Sequence, residues 1–97
     1  MKETEFQAEL KKKIKKAVPG SVILKNNPND ILGIPDLTVL SPNGKYAILE
    51  CKRASNSKIQ ALQDYYIDKF NKASYGKFVS PANEKEVIED LKRILGN

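Results

Sequence analysis

Two apolar runs, Ile34 to Leu40 and Lys45 to Cys51, flank the tetrapeptide Ser41-Pro42-Asn43-Gly44, and this arrangement constrains the chain more than any other part of it. Both runs are rich in β-branched and large apolar residues and read as strands. Pro42 suits the first central position of a type I turn and Asn43 the second, while Gly44 takes the left-handed conformation that closes a three-residue hairpin loop. Ser41 then stands opposite Lys45. Counting back along both strands sets Asp36 opposite Glu50, where facing Cβ atoms lie roughly 4.5–5.5 Å apart.

The register sorts the side chains. Leu37, Val39, Ala47, Leu49 and Cys51 fall on one wholly apolar face, which is core. Asp36, Glu50 and Lys52 fall on the other, together with Thr38, Leu40, Tyr46 and Ile48, which are expected to be at least half-buried. Two acids directly opposite each other destabilise a sheet unless something positive neutralises them. A divalent cation bound through oxygen does so, with Lys52 adding charge beside it. Acid, acid and lysine on one hairpin face is the pattern of a metal-dependent phosphodiesterase. The plainer alternative is a surface salt bridge on a solvated hairpin, which the half-buried neighbours argue against.

Ninety-seven residues make one small domain, 1–97, with room for a single core. The absence of histidine removes imidazole bases and zinc fingers. The single cysteine excludes an intramolecular disulfide and a cysteine zinc site, so a reducing, intracellular setting is expected. No run approaches the roughly 20 apolar residues of a membrane span, and the charged start of the chain does not read as a signal peptide. A net charge of +5 suits a polyanionic partner, although it also serves solubility.

Around the hairpin, Phe6, Leu10, Ile14 and Ala17 recur at helical spacing and stop before Pro19-Gly20. Ser21–Lys25 reads as a strand and 26–32 as a loop. A second helix is expected from about Ser57 to Ala73, with Ile59, Leu62, Tyr66, Ile67 and Phe70 on one face. A short strand, Lys77–Ser80, follows Gly76, and a last helix runs from about Asn83 to Leu95. The order is αβββαβα. At about 100° per residue, Gln63 falls inside the apolar stripe of the second helix and Glu3 points near the centre of the first helix's apolar face. Gln7 lies at the border of that face, one turn after Glu3. A polar group facing the core needs partners. Gln63 is either a satisfied structural amide or part of the acidic site, and Glu3 either a solvated helix start favoured by the macrodipole or a third acid at the sheet.

Lys11, Lys12, Lys15 and Lys16 belong to the run KKKIKK, which forms a solvated helix face or a phosphate-neutralising one. Lys25, Arg53 and Lys58 add positive charge near the predicted acids. With no aromatic-interleaved platform and no groove-reading helix evident, contact through the nucleic-acid backbone and shape is expected over base reading.

Taken together, Pro35-Asp36, Glu50-x-Lys52 and Gln63, in the order helix, strand, strand, strand, helix, strand, resemble the PD-(D/E)XK nuclease superfamily. GIPDL, LECKRA and QDYYIDKF followed by Gly76 look most like small stand-alone VRR-NUC domains, often phage-encoded and similar to Holliday junction resolvases. The likeness spans nearly the whole chain, which lacks an arginine pair upstream of Gly33. It implies an α/β, restriction-endonuclease-like αβββαβ core with a C-terminal helix and a central mixed sheet flanked by helices. It further implies that Asp36, Glu50 and the backbone carbonyl of Cys51 bind Mg²⁺ or Mn²⁺, with Glu3 an additional ligand. Lys52 would orient or activate water, and Gln63 would hold the water or the lysine. The expectation is a metal-dependent endonuclease for branched DNA such as four-way junctions, acting as a homodimer. The alternative is an inert nucleic-acid-binding module on the same fold.

Overall fold

The computed structural model describes residues 2–96. Its elements are α1 (Glu3–Ala17), β1 (Val22–Lys25), β2 (Leu37–Leu40), β3 (Tyr46–Cys51), α2 (Ala61–Ala73), β4 (Gly76–Val79) and α3 (Glu84–Leu95), in the expected order. The four strands form one mixed sheet, β1-β2-β3-β4, antiparallel except for the parallel pair β3 and β4.

The hairpin register is the one the turn dictates. Leu37 pairs with Leu49 and Leu40 with Tyr46, so Asp36 lies opposite Glu50 one step beyond the ladder. Gly44 has φ +88° and donates its N–H to the Ser41 carbonyl at 3.0 Å. The turn also ties down the end of α3: Ser41 Oγ donates to the Leu95 carbonyl at 2.6 Å and Asn43 Nδ2 to that of Ile94 at 3.1 Å. Local turn chemistry therefore fixes both the strand pairing and the docking of the last helix.

One sheet face carries the main core. Leu37, Val39, Ala47, Leu49 and Cys51 are fully buried against Phe6, Leu10, Ile14 and Val18 from the first helix and its end, and Val87, Leu91 and Leu95 from α3. The other face is covered by α2 over β3 and β4, with the Phe70 ring edge-on to Tyr46 at 6.0 Å between centroids. Close approach of α2 and β4 depends on Gly76, where a Cβ would lie 2.5 Å from the Ile67 carbonyl oxygen.

Three expectations are corrected. The second helix begins at Ala61, not Ser57, because Ser57 closes a turn on Ala54: its N–H donates to the Ala54 carbonyl, and its Oγ accepts from the Ala54 N–H. Side-chain bonding of this kind competes with helix formation. Ile59 consequently lies outside the helix and is 49% exposed, and Leu62 is also exposed. The strand begins at Leu37 rather than Ile34, since Pro35 has no N–H for a ladder. Of the residues beside the acids, Ile48 is buried and Tyr46 and Thr38 half-buried, whereas Leu40 is more open than expected.

Candidate metal centre

Three carboxylates converge where the sheet ends. Glu3 from the first turn of α1, Asp36 just before β2 and Glu50 of β3 each offer an oxygen, all within 4.8 Å of one another. Glu3 is exposed, Asp36 half-buried and Glu50 only 3% exposed. Helix α1 packs on the core face, so its first turn brings Glu3 around the end of the sheet to acids that project from the opposite face.

Hydrogen bonds hold both sheet acids. The Asp36 N–H donates to Glu50 Oε1 at 3.0 Å, and the Cys51 N–H to Asp36 Oδ2 at 2.9 Å. In a strand the N–H and C=O of one residue share an edge, so the Cys51 carbonyl lies on the edge that faces Asp36. Gln63 spans the remaining polar groups. Lys52 Nζ donates to its Oε1 at 3.0 Å, and its Nε2 donates to Glu50 Oε2 at 2.9 Å. Lys52 Nζ itself is 3.8 Å from Glu50 Oε2 and 5.9 Å from the centroid of Phe78, the residue paired with Glu50 across β4.

This environment disfavours a charged Glu50. Burial, then the neighbouring Asp36, pushes its pKa up from 4.5 to about 7, against the opposing pull of Lys52 and the Asp36 N–H. Three acids with too little positive charge between them, one of them buried and reluctant to ionise, form a donor set of hard oxygens that suits Mg²⁺ or Mn²⁺. Cys51 is a core residue: burial, then the neighbouring Asp36 and Glu50, raises its thiol pKa to about 12.

The structure brings Glu3, Asp36, Glu50, the Cys51 peptide, Lys52 and Gln63 together. The basic residues divide. Lys25 ends β1 opposite Leu37, Arg53 follows Lys52, and Lys58 lies in the loop before α2, all exposed. Lys11, Lys12, Lys15 and Lys16 lie eight to thirteen residues after Glu3, about 12–20 Å further along the helix axis. Lys12 pairs with Glu9, and Lys16 lines a groove of about 460 Å³ between α1 and α3 that contains none of the clustered acids.

Sequence reasoning passed over Asn26. Its side chain donates to the Pro35 carbonyl and to Thr38 Oγ1, each at 2.9 Å, and its N–H donates to the Asp36 carbonyl at 2.8 Å. An asparagine directly after a strand reads as loop; only the register of β1 against β2 reveals that it faces Asp36. Gly33 also acquires a reason. Its φ is +81°, and a Cβ there would stand 2.3 Å from Leu62 Cβ, so the backbone before Pro35-Asp36 rests directly on the start of α2.

The fold and its acidic cluster define a nuclease-like α/β domain. A solved structure described as "VRR_NUC domain" superposes with a TM-score of 0.72 at 27% sequence identity, covering 90% of this chain and 94% of that one. Over nearly its whole length the chain is similar to a VRR-NUC nuclease-type domain. No family model matches the sequence, and no curated protein matches it.

Proposed function

We propose that this domain is a divalent-metal-dependent endonuclease that hydrolyses DNA phosphodiester bonds, with branched DNA such as four-way junctions as substrate. The observation that carries the reading is the convergence of Glu3, Asp36 and Glu50 beside a lysine clamped by Gln63. Asp36, Glu50 and the Cys51 carbonyl would hold Mg²⁺ or Mn²⁺, with Glu3 completing the acidic wall. When bound, the cation supplies polarisation of the phosphoryl oxygen and activation of water.

The protein's own groups do the rest. Gln63 fixes the Lys52 ammonium at one end and Glu50 at the other, so the lysine is aimed before DNA arrives. In that position Lys52 stabilises the negative charge growing on the phosphate oxygens and orients the attacking water. A pocket of about 160 Å³ opens beside Lys52, lined by Ser55, Ser57, Phe78, Ser80 and Asn83 among others. Lys25, Arg53 and Lys58 flank the site and suit contacts to the strand being cut, while the lysines of α1 suit phosphates further along the DNA.

Paired incision of a junction calls for two sites, and a homodimer supplies them. The sheet has a face to offer: Val22, Leu24 and Leu40 are 52%, 46% and 42% exposed on the α2 side of β1 and β2, which α2 does not cover. Exposed apolar residues grouped on one sheet face would suit such an interface.

The test is incubation with labelled four-way junction, linear duplex and single strand, in Mg²⁺, Mn²⁺ or chelator. Metal-dependent cutting that favours the junction is expected. Binding without cutting in either metal would favour the inert module instead.

A further inference from the structure

We propose that Asn26 is a positioning residue for Asp36: by tying down the carbonyls on both sides of the Asp36 N–Cα unit, it sets the direction in which the Asp36 carboxylate meets Glu50 and Glu3. The inference rests on the acidic cluster being a metal site.

Asp36 lies outside regular strand structure, one residue before β2, and follows a proline that contributes no N–H. Ladder bonds alone would leave this segment loose. Three strands compensate. From β3, Glu50 accepts the Asp36 N–H and the Cys51 N–H holds one carboxylate oxygen. From the end of β1, the Asn26 N–H takes the Asp36 carbonyl at 2.8 Å, and the Asn26 amide takes the Pro35 carbonyl at 2.9 Å. Thr38 locks the amide itself: its Oγ1 accepts from Nδ2 at 2.9 Å and lies 3.3 Å from Oδ1, to which it donates. Asn26 thus grips the peptide entering Asp36 and the peptide leaving it. The contacts through β3 run between groups that would themselves shift when a cation binds, whereas Asn26 contributes no ligand and provides the fixed reference. A metal site requires its ligands already in place, because every ligand that must be ordered on binding lowers affinity.

The test is direct Mn²⁺ binding to the whole protein without DNA, followed by the electron paramagnetic resonance signal of free Mn²⁺, with thermal unfolding in chelator alongside. Asn26→Leu removes the amide at similar size. Ile23→Ala removes apolar contact from the same strand without touching Asp36 and controls for lost stability; Asn26→Ser serves if the leucine variant does not fold. Asn26→Leu, or Asn26→Ser in its place, is expected to raise the Mn²⁺ dissociation constant about 5- to 50-fold, while Ile23→Ala stays within about twofold of wild type. Thr38→Val, which unlocks the amide but spares its bond to Pro35, should fall between them. Unchanged affinity in the Asn26 variant, or an equal loss in Ile23→Ala, would overturn the positioning role while leaving the metal site standing. Failure of the wild type to bind Mn²⁺ would instead remove the metal site, and the role of Asn26 with it.

Discussion

Gln63 stands between Lys52 and Glu50 and bonds both, accepting from the ammonium at 3.0 Å and donating to the carboxylate at 2.9 Å. Lysine can only donate, so the amide oxygen faces Lys52 and the amide NH₂ faces Glu50, and one residue of α2 aligns a carboxylate of β3 with the lysine just beyond the strand's end. Gln63→Leu keeps the volume and removes both bonds. Cleavage rate at saturating metal and DNA is expected to fall roughly 10- to 100-fold, with junction affinity unchanged in a gel-shift titration.

Glu50 makes stability depend on pH with a sign opposite to that of a salt-bridged acid. Its pKa in the folded protein is raised from 4.5 to about 7, so the folded state holds the proton more tightly than the unfolded chain. Its contribution is therefore fully present below pH 4.5 and is lost as pH rises through 7, a change on the order of 3 kcal/mol. In chelator, Glu50→Gln should flatten the melting temperature between pH 5 and 8 relative to wild type. A cation competes with that proton, so Mn²⁺ should raise the melting temperature more at pH 8 than at pH 6.

Gly33 is required twice over, by its positive φ and by the contact of its backbone with Leu62. Gly33→Ala should lower stability in urea unfolding by about 1–3 kcal/mol. Because it displaces the segment that leads to Pro35-Asp36, it should also weaken metal dependence. Gly44→Ala meets no neighbouring atom and should cost only about 1 kcal/mol, through its own positive φ.

The open half of the sheet offers a test of assembly. Leu24→Glu places a charge on the uncovered face of β1, where Leu24 is 46% exposed. Sedimentation velocity should shift from dimer to monomer while the fold, followed by circular dichroism, is retained. Sedimentation of the wild type as a monomer would end the dimer proposal.

The part of this site legible in the sequence was the part carried by short-range chemistry. Pro42-Asn43-Gly44 sets one register, and from it the pairing of Asp36 with Glu50 and the side of Lys52 follow by counting. Helical arithmetic puts Gln63 and Glu3 on the helix faces that the structure turns toward the acids, because each sits on a long, regular helix. It failed at Ser57–Gln60, where Ile59 continues the apolar spacing but the serines and Asn56 favour a turn. Asn26 was illegible for another reason. Its role depends on β1 lying beside β2, a long-range pairing that no local pattern encodes. The open face of Val22, Leu24 and Leu40 was equally hidden, since only the placement of α2 over β3 and β4 decides what stays uncovered.

If Asp36 and Lys52 serve one hydrolytic site, both are needed for cleavage of a labelled four-way junction, measured for wild type, Asp36→Ala and Lys52→Ala in Mn²⁺. Each substitution should abolish cutting, a loss of at least about 10³-fold, while a gel-shift assay shows the junction still bound. Cleavage persisting at near wild-type rate in both variants would mean that the hydrolytic site lies elsewhere.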